Sequence, residues 1–125
     1  ALGACGREEP APQQVRETVQ GFGAATQAKD YQAICDDFLS KELVENLEAV
    51  GLPCELAWQR GLGRAQAPKL EIRTVAVRDD RALVGVRSTA ANQEPSDDVL
   101  ELVREDEEWR IAALAQPQPT PPARP

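Results

Sequence analysis

Apolar residues recur at helical spacing through the first half of the chain and at strand spacing through the second. Between residues 12 and 28, Val15, Val19 and Phe22 repeat every three to four positions, and Ala25 or Thr26 continues the stripe. This pattern predicts a first helix, with Pro12 in the opening turn, where its missing N–H has no partner to lose. Gly21 and Gly23 each weaken that helix by about 1 kcal/mol relative to Ala, yet they let it approach a sheet closely. Lys29-Asp30 interrupts the run, and Asp30 is placed to cap a short second helix carrying Tyr31, Ile34, Cys35 and Phe38. Ser40 is placed to cap a third, with Leu43, Leu47 and Val50 as its apolar stripe and Gly51 and Pro53 as its stop. Residues 54–60 allow one more short helix, ending at Gly61-Leu62-Gly63.

After Pro68 the period shortens to two. Residues 69–78 carry Leu70, Ile72, Val75 and Val77, whose parity flips near Arg73-Thr74, the mark of a bulge or strong bend. Asp79-Asp80 turns the chain into a second strand over 82–91, with Val84 and Val86 on one face. A polar loop is expected over 92–97, a third strand over 99–104, an acidic turn over 105–108 and a fourth strand over 109–114. Helices followed by an antiparallel meander define an α+β plan: N-terminal helices packed on one face of a curved four-stranded sheet, leaving a cone open at one end.

A chain of 125 residues with 42% apolar content supports one core. Polar, Pro-containing stretches at both ends divide it into a tether at 1–12, a folded domain at 13–115 and a Pro-rich tail at 116–125, read as disordered or polyproline-like. The net charge of −7, with no basic run, argues against nucleic acid, because binding a polyanion depends on Lys and Arg displacing counterions. An anionic membrane surface would not attract such a domain by charge either. No stretch approaches the roughly 18 consecutive apolar residues of a spanning helix.

The opening Leu2-Gly3-Ala4-Cys5 resembles the lipobox of bacterial lipoproteins, and the polar segment Gly6 to Pro12 after it suits a spacer. That resemblance implies lipidation of Cys5, palmitate among its acyl chains, loss of residues 1–4 with a signal peptide, and an extracytoplasmic domain held at the cell membrane by lipid alone. Two or three acyl chains would hold it firmly where one would not. In an oxidising compartment Cys35 and Cys54 are expected to pair, closing a loop of about 20 residues and contributing roughly 3 kcal/mol. The alternative is a cytosolic protein with both thiols reduced and buried as small apolar side chains. With no His and no C-x-x-C spacing the usual zinc ligand sets are missing, and no cofactor is expected.

Over residues 13–115 the element order resembles the NTF2-like superfamily, a cone-shaped, cystatin-like α+β fold shared by nuclear transport factor 2 and ketosteroid isomerase. The passage Phe22-Gly23-Ala24-Ala25-Thr26-Gln27-Ala28-Lys29-Asp30-Tyr31 is similar to its first helix break, and Glu108-Trp109-Arg110-Ile111 to its closing strand. The resemblance implies fold and leaves activity open, since the superfamily holds both enzymes and binding modules. Its His-Asp catalytic pattern cannot be built without His. The isomerase pattern needs a carboxylate base with a Tyr; Tyr31, the sole Tyr, reads as packing, and Glu71 and Glu101 read as solvent-facing. The candidate pocket is therefore aromatic: Phe22, Tyr31, Phe38, Trp58 and Trp109.

Three functions are consistent with this. The first is a lipid-anchored, non-enzymatic module that holds a small apolar ligand or an envelope protein. The second is an isomerase-like or hydratase-like enzyme acting on an apolar small molecule, which needs a sealed cavity with an inward carboxylate near Tyr31. The third is a cytosolic dimeric structural protein using its sheet face. Oligomeric state is not legible.

Overall fold

The computed structural model describes residues 10–115. The expected lipid site at Cys5, most of the tether and the Pro-rich tail lie outside the described residues. Four helices precede four strands: α1 (Ala11–Ala28), α2 (Tyr31–Ala33), α3 (Lys41–Ala49), α4 (Cys54–Leu62), β1 (Lys69–Arg78), β2 (Arg81–Ala90), β3 (Gln93–Glu105) and β4 (Glu108–Ala115). The strands form one antiparallel meander in the order β1-β2-β3-β4, so the α+β plan is the observed one.

Helix α1 buries Val15, Val19, Phe22, Ala25 and Thr26, the stripe that its periodicity marks. It stops at Lys29, whose left-handed φ of 56° lets its N–H reach Thr26 O while the Asp30 N–H reaches Ala25 O. These paired bonds satisfy carbonyls that a helix end leaves orphaned. Asp30 then caps α2 by accepting from the Ala33 N–H. α2 runs into a π-helical turn, Ile34–Phe38, closed by the Leu39 N–H on Ile34 O at 3.1 Å. The wider turn carries Ile34 and Cys35 into the core.

Ser40 joins the layers. Its Oγ accepts from the Leu43 N–H to cap α3, and its own N–H donates to Ile111 O of β4 at 2.8 Å, so this polar residue is buried with its groups engaged. Leu43 and Leu47 pack against the core, but Val50, expected in the same stripe, is 76% exposed. The helix ends at Ala49, and the turn at Val50 and Gly51 swings that side chain outward.

The sheet curves because each strand pair carries one register irregularity: between Ile72 and Thr74, between Ser88 and Ala90, and between Glu101 and Leu102. The first lies where the apolar parity flips, so Leu70, Ile72, Val75 and Val77 all pack on the core. Ala82, Val84, Val86, Leu100, Leu102, Trp109 and Ile111 complete the concave face. The loop expected over 92–97 is instead the first half of β3, where Gln93, Ser96 and Asp97 pair with Ala90, Ser88 and Arg87. Its polar side chains are exposed, which is why the stretch reads as loop. Pro95, which cannot donate to a ladder, falls at the register irregularity between Ser88 and Ala90, where a strand tolerates proline.

A disulfide joins Cys35 of the π-helical turn to Cys54 at the start of α4. Both residues are buried in the core.

Candidate functional site

The concave sheet and the helices enclose a hollow at one end, where α1, α4, the start of β1 and the end of β2 meet, here termed the mouth. Its back wall is Phe22 of α1, a residue the helix turns fully inward. Trp58 of α4 meets the Phe22 ring edge-on at a centroid distance of 5.5 Å, and Phe38 meets it at 6.4 Å. Such contacts fix ring positions better than aliphatic packing does. The Cys35–Cys54 bond holds the base of α4, and through it Trp58, against the rest of the fold.

In front of Phe22 lies a cavity of about 150 Å³, partly open to solvent. Apolar walls come from Trp58 and Leu62 of α4, Leu70 of β1 and Leu114 of β4, the last half-exposed at the rim. Thr26 of α1 and Ser88 and Ser96 of the sheet supply hydroxyls to the lining. Thr26 Oγ1 donates to Gly23 O at 2.8 Å, while Ser88 and Ser96 both donate to Asp98 Oδ2 at 3.1 Å. Register explains that trio. Ser88 lies opposite Ser96, and Val86 opposite Asp98, so all three polar residues share the concave face with the buried Val84 and Val86.

Of the aromatic residues singled out from sequence, Phe22 and Trp58 border the cavity. Phe38 stands behind Phe22, and Tyr31 packs partly buried on the core, away from the cavity wall. Trp109 lies near the other end of β4 from Leu114, buried, with its Nε1–H donating to Gln14 Oε1 at 3.2 Å. Glu71 and Glu101 are on the outer side of the sheet, paired with Arg73 and Arg81. The isomerase-type requirement of a sealed cavity beside Tyr31 is thus not met by the placement of Tyr31 or by the open mouth.

Thr26, Ser88, Ser96 and Asp98 escaped the sequence reading. Alternation places Ser88 in phase with Val84 and Val86, the available signal, whereas Ser96 lies in a polar stretch that reads as loop.

A larger hollow of about 500 Å³ lies between α3 and the β3–β4 turn. It is open, and its two cations are engaged: Lys41 with Asp106, and Arg110 with Glu108 and the Asp36 carbonyl. Leu39 and Val44 are part of its lining, but most of the rest is charged, so the mouth, with its larger apolar wall, fits a small apolar ligand better. Among the described residues no three His, Cys, Asp or Glu side chains are grouped to hold a metal ion, and no helix is long and apolar enough to cross a membrane.

Solved structures share this architecture. An NTF2-like protein of unknown function from Pseudomonas putida KT2440 superposes with a TM-score of 0.62 at 13% identity, covering 90% of this chain and 89% of that one. Another from Shewanella baltica OS155 gives a TM-score of 0.61 at 10% identity, covering 86% and 94%. A de novo designed NTF2 fold protein, NT-9, gives 0.57 at 18% identity, covering 85% and 87%. At these identities the likeness is one of fold alone, as the designed protein illustrates. No curated protein sequence matches the chain. The family described as putative lumazine-binding matches residues 13–115, the whole helix-and-meander unit. The chain therefore belongs to that family, and its fold is NTF2-like.

Proposed function

We propose that this chain is a lipid-anchored binding domain of the bacterial envelope whose cone mouth holds a small, flat, largely apolar molecule. In this reading Cys5 carries the lipid, residues 1–12 are the tether, 13–115 the binding domain and 116–125 a Pro-rich tail. The reading is of a binder rather than a catalyst. The Leu2-Gly3-Ala4-Cys5 motif supports the anchor, and the Cys35–Cys54 disulfide is compatible with an oxidising location.

One observation carries the binding claim: a preformed hollow faced by Phe22, Trp58, Leu70 and Leu114 with a few hydroxyls in its lining. Apolar enclosure with a few fixed polar groups is the usual make-up of a small-molecule site. Its 150 Å³ is about the size of an engineered cavity that takes one benzene ring. Lumazine, which the family description suggests as a first probe, would seat one ring against Trp58 and leave the other in the open mouth.

Calorimetric titration of lumazine into the disulfide-intact protein tests this. Saturable binding of one equivalent is expected, weakened about tenfold or more by Trp58→Ala, a truncation that removes the indole from the wall. Binding unchanged by that substitution would move the site elsewhere.

A further inference from the structure

We infer that the inner wall of the mouth is an acceptor surface, which selects aromatic ligands bearing N–H donors, neutral or cationic, over anionic or donor-free rings of the same size. The inference rests on the mouth being the ligand site and adds the chemical class of what enters it.

A hydroxyl has one proton to donate and two lone pairs to offer. Three of the four hydroxyls bordering the cavity have committed that proton: Thr26 to the Gly23 carbonyl, Ser88 and Ser96 to Asp98 Oδ2. The direction of these bonds is fixed by chemistry, because a carbonyl oxygen and a carboxylate oxygen only accept. Towards the cavity Thr26, Ser88 and Ser96 therefore present lone pairs. Thr89, the fourth, keeps a rotatable hydroxyl at the rim.

Charge works in the same sense. Asp98 stands behind the two serines, while at the edge Glu94 and Lys69, both exposed, offset one another in charge. The bordering donors, Lys69 and Gln93, are both exposed and keep their water. Trp58 contributes an indole, the aromatic surface that attracts a cation most strongly. A ligand N–H meets ready acceptors; a ligand carboxylate meets lone pairs backed by the Asp98 charge.

Three single-ring probes separate the possibilities: benzamidine with cationic donors, toluene with none, and benzoate with acceptors only. Each is titrated into ¹⁵N-labelled protein with its disulfide intact, following the Trp58 indole N–H and the Ser88 and Ser96 amides. Benzamidine is expected to bind at least about tenfold more tightly than the other two, as one charge-assisted hydrogen bond warrants. Asp98→Asn, which keeps the size and removes the charge, is expected to narrow the advantage of benzamidine over toluene without abolishing it, while toluene stays unchanged. Should that variant not fold, the ranking of the three probes on the native protein decides alone. Equal affinities, or a preference for benzoate, overturn the acceptor wall while leaving the mouth a binding site. Failure of all three probes to shift these signals overturns both readings.

Discussion

At Gly85 the bulge of the sheet and a single missing methyl depend on each other. A Cβ there would stand 2.5 Å from Thr74 Oγ1, the atom that accepts the Gly85 N–H at 3.2 Å across the β1–β2 bulge. Gly85→Ala is therefore expected to cost about 1–3 kcal/mol, the usual range for overpacking. Urea unfolding checks this, and adding Thr74→Ala should recover part of the loss if the clash is the cause. The bulge itself was legible, because the apolar parity flips at Arg73-Thr74. The role of Gly85 was not, since it depends on a partner eleven residues upstream across the strand pair. Cys35 and Cys54 illustrate the opposite case: their pairing followed from composition and expected compartment, and the fold brings them together. Replacing both with Ser should lower stability by about 3 kcal/mol in the chain-entropy account. Equal unfolding midpoints for the oxidised and the doubly substituted protein would contradict it.

Elements were readable where a local signal sets them. Asp30 and Ser40 act as helix caps as their residue types suggest, because a cap needs only a side-chain oxygen next to an orphaned N–H. Ser40→Ala should cost about 1 kcal/mol, with faster amide exchange at Leu43 as the local readout. No change at Leu43 would mean that the bond to Ile111 alone holds this junction. Reading fell short where a neighbour decides. Val50 continued the period of α3 but lies beyond its end, and residues 93–97 looked like loop because their side chains are polar. In that stretch strand identity comes from backbone pairing with β2, and polarity reports only that the side chains meet water. This error had a cost for the site, because Ser96 and Asp98 lie on the misread strand.

On the scale of the whole molecule, helices first and a meander second were enough to read the cone, since few other packings bury one face of each layer. The site was half legible. Phe22 and Trp58 do border the mouth, whereas Tyr31 and Trp109 serve the packing of other regions, and no periodicity distinguishes those two fates. The anchoring proposal is tested by the intact mass of the protein made in a lipoprotein-competent bacterium. Cys5 is expected at the mature N-terminus with diacylglycerol attached, and the remaining mass two hydrogens short of the dithiol form. An unmodified Cys5 would remove the anchor while leaving the binding reading in place. That reading is examined most directly by intermolecular nuclear Overhauser contacts between lumazine ring protons and the saturated protein. Contacts to Phe22, Trp58 and Leu114 are predicted. Contacts confined to the charged hollow around Asp36 and Arg110, or to the outer sheet face around Leu83, would contradict it.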